Sequence, residues 1–218
     1  MGAEMDARGT FIVLDGTEGS GKSTQARMLH ERFSRDLGPD NVLLVRDPGT
    51  TRIGEQVRAL LLNPDHAEMN MRSEMLLYMA ARAQMMAEII LPALARDKVV
   101  IGDRFVSSTL AYQLGGDGLT AGDIVTVADI AIRGRWPDLT ILLDMPAGAS
   151  MARVNRAKDR IEQRPPEYHE QVRRNYLAQA DRDSQRYRVV NADRDPQVVH
   201  GEVLATAWYQ VVLKRNQR

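Results

Sequence analysis

Gly16-Thr17-Glu18-Gly19-Ser20-Gly21-Lys22-Ser23, with Thr24 behind it, fits the pattern G-x-x-x-x-G-K-[ST] at every fixed position. These residue types bind phosphate. Glycines at 19 and 21 let the backbone curl until successive N–H groups point inward at anionic oxygens. A helix start adds a partial positive charge at the same place. Lys22 can reach β- and γ-phosphates, and the Ser23 hydroxyl can ligate Mg²⁺. The plainer reading is a glycine-rich turn that binds nothing. The flanks argue for phosphate: an apolar run at 11–14 reads as a buried strand, and residues 24–33 carry helical spacing.

Other segments offer chemistry only in company. Asp103-Arg104 follows another strand-like run, 99–101. Beside a phosphate loop, such an acid can hold Mg²⁺ or its water, and the arginine can fork onto a phosphate; alone, the two read as a capping ion pair. Tyr78 and Arg82 share a helix face. That face could stack on a base and hydrogen-bond its carbonyl, though spacing alone reads more simply as a core ring and a surface cation. Residues 107–113, with Ser108, Thr109, Tyr112 and Gln113, suit sugar and base recognition, or a polar helix start capped by Ser107 or Ser108. Arg153, Arg156, Lys158 and Arg160 form a charge run. It is either a flap over phosphates or a solvated helix face.

The elements that must position these groups alternate. Strand runs fall at 11–14, 42–45, 99–101, 139–143 and 187–190. Helical patterns fall at 53–62, 73–96, 121–132, 147–156, 166–181 and 196–214. That order predicts a three-layer α/β fold, a parallel sheet of about five strands covered on both faces, with ligands at the strands' carboxyl ends. Three such ends carry polar loops: the phosphate loop, the segment 46–50 and the segment 102–104. We expect a leader over 1–8, one domain over 9–218, and a mobile lid at about 153–164. The four histidines have no metal-ligand spacing, and the eleven methionines read as core filling.

Twenty-nine basic residues balance 29 acidic ones. That balance argues against a general nucleic-acid or membrane-surface binder. There is no cysteine, which excludes disulfides and thiolate metal sites and suits a cytoplasmic location.

Taken in order, these motifs make the chain resemble the bacterial thymidylate kinases, nucleoside monophosphate kinases of the P-loop class. The resemblance runs from about Thr10 to the last helix. It implies ATP and dTMP as substrates, dTDP as product for dTTP synthesis, Mg²⁺ as cofactor, and a homodimer packed through parts of 73–96 and 121–132. Gly16 to Thr24 would hold ATP, with Lys22 and Ser23 on the phosphates and Mg²⁺, and Asp103 near the metal through water. Glu18 would bond the sugar 3′-hydroxyl. Arg46, Arg58 and Arg104 would grip the monophosphate, and Asp47 and Ser108 would also contact dTMP. Tyr78 would stack on the base, Arg82 would read thymine O4, Thr109 and Gln113 would stand near the base edge, and Tyr112 would exclude a ribose 2′-hydroxyl. Some members carry a catalytic arginine in the phosphate loop. Here that slot holds Gly19 or Ser20, so the resemblance assigns the charge to Arg153, Arg156 and Arg160. The chain departs from the family at Asp47-Pro48-Gly49-Thr50-Thr51, often Glu-Pro-Gly-Gly-Thr, and at Ser107, often Asp.

Overall fold

The computed structural model describes residues 8–216; most of the expected leader, residues 1–7, lies outside the described residues. Five strands form one parallel sheet: β1 (Thr10–Gly16), β2 (Val42–Arg46), β3 (Val99–Asp103), β4 (Leu139–Asp144) and β5 (Tyr187–Asn191), in the order β2-β3-β1-β4-β5. Each matches an apolar run of the sequence, extended by a residue or more at its ends. Phe11, Ile12, Val13 and Leu14 are fully buried because β1 is central and covered on both faces. Burying each such side chain contributes roughly 1.5–3 kcal/mol.

Alternate β1 residues feed two cores. Phe11 and Val13 meet α3 (Met71–Met85), α4 (Leu91–Ala95) and α6 (Ala121–Ile132), where Met75, Met79, Met85 and Met86 fill space. Ile12 and Leu14 meet α1 (Lys22–Leu37) and α9 (Pro196–Asn216). The remaining helices are α2 (Arg52–Leu62), α5 (Val106–Tyr112), α7 (Ala147–Ala152) and α8 (Pro166–Arg182).

Three expectations are corrected. The helix read over 73–96 is not one α-helix: a π turn, Met86–Ile90, separates α3 from α4, and the Leu91 N–H bonds the Met86 carbonyl. Pro92 is the cause. It stands in the first turn of α4, has no N–H, and its ring crowds the carbonyl four residues back. The helix read over 147–156 stops at Ala152, with Arg153 as its C-cap. Neither Ser107 nor Ser108 caps a helix; both lie inside α5, and their hydroxyls bond Asp15.

The register decides what meets at the carboxyl edge. Arg46 pairs with Asp103 across β2–β3, and Asp103 with Leu14 across β3–β1. The phosphate loop, the segment after β2 and the Asp103-Arg104 pair therefore emerge side by side.

Candidate active site

The loop between β1 and α1 closes on the protein. Gly19 has φ 75°, and a Cβ there would sit 1.9 Å from the Ser150 carbonyl oxygen. Only glycine allows that approach of the loop to α7. Thr17 Oγ1 adds a 3.2 Å hydrogen bond to Ser150 Oγ. The Lys22 ammonium turns back inside the loop and donates to the Thr17 carbonyl at 2.5 Å. Ser23 Oγ donates to Asp103 Oδ2 at 2.5 Å.

Two adjoining cavities follow. The first, about 430 Å³, is walled by the loop from Glu18 to Thr24, by Arg46, Arg58, Asp103 and Arg104, and by Arg153 and Arg156. The second is walled by Tyr78, Arg82, Ser108, Thr109, Tyr112 and Gln113. Glu18, Asp47, Arg58, Arg104 and Arg156 border both. The cavities thus meet across a ring of charge.

Arg104 stands at that junction with φ 72°, a left-handed backbone that an arginine adopts only where its surroundings demand it. Its N–H bonds the Leu14 carbonyl at 3.0 Å. Its guanidinium donates to Glu18 at 2.5 Å, Ser108 Oγ at 3.0 Å and the Gly16 carbonyl at 3.2 Å, and lies over the Tyr112 ring. Burial is the largest influence and opposes the charges of both Glu18 and Arg104, but their mutual attraction and the other neighbours together outweigh it. Glu18 is held at about 2, with help from Lys22, and Arg104 is driven above its ordinary value. Burial and then the Arg104 charge pull Lys22 down to about 8.

The second cavity is also fixed in advance. Arg82 is buried and held from several sides: Asp47 accepts from it at 2.5 Å, the Phe105 carbonyl at 3.1 Å, and Thr109 lies at 3.4 Å. Burial raises the Asp47 carboxyl despite Arg82, and its Oδ1 has no partner. Burial pushes the Tyr78 and Tyr112 hydroxyls up, so both stay protonated donors. Arg58 donates to the Pro48 carbonyl at 3.1 Å, and Arg46 to Glu55 at 2.9 Å.

Most expected residues therefore converge. Arg160 does not. Expected over the transferred phosphate, it is buried instead against Glu74 at 2.5 Å and the Leu61 carbonyl at 2.8 Å. Arg153 borders the loop cavity while paired with Asp193 at 3.0 Å, and Arg156 does so while paired with Glu162 at 2.6 Å.

Asp15 was missed. Fully buried, it accepts from Ser107 Oγ at 2.6 Å, Ser108 Oγ at 2.8 Å, Tyr176 Oη at 2.6 Å and the Gly16 N–H at 2.9 Å. One signal was available: an acid closing a central apolar strand needs buried donors to face.

A parallel sheet with a phosphate loop after its central strand, opposite a second arginine-lined cavity, defines a P-loop phosphotransferase with two anionic substrates. A family model described as Thymidylate kinase matches residues 14–203. The chain is 44% identical over 198 residues to a thymidylate kinase of Desulforudis audaxviator, covering 90% of this chain and 89% of the relative. It is 45% identical over 216 residues to one of Pelotomaculum thermopropionicum, covering 97% and 99%. A crystal structure of thymidylate kinase from Ehrlichia chaffeensis superposes with a TM-score of 0.76 at 33% identity, over 91% of this chain and 98% of that one. The chain belongs to the thymidylate kinase family, enzymes that phosphorylate dTMP to dTDP on the way to dTTP.

Proposed function

We propose that the phosphate loop holds the polyphosphate of ATP and that the second cavity presents dTMP to it, with residues 9–218 acting as one kinase unit and 153–164 as its lid. The observation that carries this reading is the shared wall: Arg58, Arg104 and Arg156 border both cavities, where two polyanions must meet. A dTMP phosphate oxygen attacks the γ-phosphorus in line. One P–O bond forms as the bond to the β-phosphate oxygen breaks, and ADP leaves. The acceptor phosphate is already anionic at neutral pH, so positioning and charge neutralisation do the catalysis. Lys22 and the loop amides hold the donor. Arg46, Arg58 and Arg104 hold the acceptor phosphate. Arg153 and Arg156 exchange their present carboxylate partners for the equatorial oxygens as the lid excludes water.

Ser23 Oγ and Asp103 Oδ2 are hard oxygen ligands meeting at the loop cavity, a pairing that fits Mg²⁺. Ser23 would ligate it directly and Asp103 through water. When bound, the ion shields phosphate charge. The nucleotide and water would supply its other ligands.

In the second cavity Tyr78 stacks on the base, while Arg82, Thr109 and Gln113 face its edge. Glu18 meets the 3′-hydroxyl, and Tyr112 occupies the place of a ribose 2′-hydroxyl. Tyr112→Ala is expected to raise activity on the ribonucleotide relative to dTMP by about tenfold, the scale of a removed steric contact. An unchanged ratio of the two kcat/KM values takes Tyr112 out of that task.

ADP release measured with ATP and Mg²⁺, with and without dTMP, tests the whole reading. We expect release to depend on dTMP and dTDP to accumulate. Slow hydrolysis indifferent to dTMP would indicate a nucleotide switch. A homodimer accounts for exposed apolar side chains on α2, α3 and α6, among them Leu60, Leu76 and Ile130. Sedimentation velocity should give twice the chain mass, and charged residues at 76 and 130 should give the monomer. No helix among the described residues is long and apolar enough to cross a membrane.

A further inference from the structure

Behind the second cavity lies a charged cluster that the roles above do not use. Glu74, on α3, is fully buried. Its Oε2 accepts from Arg160 at 2.5 Å and from Arg164 at 2.8 Å, both from the expected lid. Its Oε1 accepts from Gln113 Nε2 at 2.6 Å. Arg160 is held further by the Leu61 carbonyl, and Arg164 by Tyr168 Oη at 2.5 Å. Gln113 is 1% exposed and borders the second cavity, yet its Oε1 has no partner.

An amide group has two faces, one donating and one accepting. A carboxylate flanked by two guanidiniums only accepts. Glu74 therefore takes the NH₂ of Gln113 and leaves the carbonyl as the one free face. A buried carbonyl without a partner costs free energy until a donor arrives. Thymine and uracil carry such a donor, the ring N3–H between two carbonyls. Cytosine carries a lone pair at that position, which would meet the Gln113 oxygen with repulsion.

We infer that Glu74 is a positioning residue for base selectivity: it fixes the direction of the Gln113 amide, so that the site accepts from an N–H at the base edge, and Arg160 and Arg164 of the lid hold Glu74 in place. This reading rests on the assignment of the second cavity to dTMP. It also gives Arg160 a task away from the transferred phosphate.

Glu74→Gln keeps the shape but can offer either face, which frees Gln113 to turn over. The ratio of kcat/KM for dTMP over dCMP should narrow at least about tenfold, with KM for ATP unchanged. Glu74→Asp, still an acceptor only, should keep most of the discrimination. A ratio in Glu74→Gln equal to wild type, or equal losses in the Gln and Asp variants, overturns the inference. If Glu74→Gln does not fold, the wild-type complex with dTMP decides. Its Gln113 side-chain NH₂, followed by ¹⁵N NMR, should couple to the Glu74 carboxyl group, and an NH₂ bonded to the nucleotide overturns the proposal. Wild-type enzyme that does not phosphorylate dTMP would instead sink the assignment of the cavity, an outcome read before any variant is made.

Discussion

Lys22→Ala is expected to lower kcat by about 10²–10³-fold, the scale of losing one preorganised charge aimed at a developing anion, with little change in KM for dTMP. Lys22 is buried inside the loop and already within 2.5 Å of the Thr17 carbonyl, so little reorganisation separates it from a phosphate placed there. Burial and the neighbouring Arg104 hold the free ammonium at about 8. As pH rises through 8 the empty enzyme loses this cation, and kcat/KM for ATP should fall. In the ternary complex the polyphosphate restores the charge, so kcat should stay level over the same range. The limb should vanish in Lys22→Ala. The linkage to stability runs the opposite way: between about 8 and the ordinary 10.5 the unfolded chain holds a proton that the folded chain does not, so stability rises with pH across that window. A Lys22→Ala protein with a near-normal rate would falsify the clamp.

What was legible in the sequence was whatever local pattern encodes. The strands β1 to β5 are short apolar runs bounded by polar turns, and a run buried on both faces has no other reading of equal economy. The phosphate loop is a contiguous motif. The π turn before Pro92 was not legible, because proline tells that a bond is missing but not how the backbone re-pairs. Long-range polar contacts were not legible either. Arg160 stands in a charge run that reads as a flap, but its head group goes to Glu74, 86 positions away. Only the packing of residues 159–164 against α2 and α3 decides between those two fates. Arg46 was legible only as part of a polar loop at a strand end, and Arg58 was found through the family resemblance; nothing in its spacing marks it out.

Asp15 is the clearest such case and gives the largest expected effect on stability. It closes an apolar strand, and its donors come from α5, 92 and 93 positions on, and from Tyr176, 161 positions on. Asp15→Ala should cost about 3–5 kcal/mol, the range for removing one member of a buried charged network, read as a lower midpoint in urea unfolding. Three hydroxyls and the Gly16 N–H lose their acceptor at once. Arg104 loses one of its two carboxylate neighbours, at 3.5 Å. Asp15→Asn separates the two consequences. The hydroxyls of Ser107, Ser108 and Tyr176 can rotate to meet an amide, but the Gly16 N–H and the Arg104 guanidinium can only donate. The Asn variant should therefore recover much of the stability while KM for dTMP stays raised, because Arg104 is held less firmly at the junction of the two cavities. An Ala variant within about 1 kcal/mol of wild type, well below what a buried network should cost, would mean that these bonds are made but do not hold the site together.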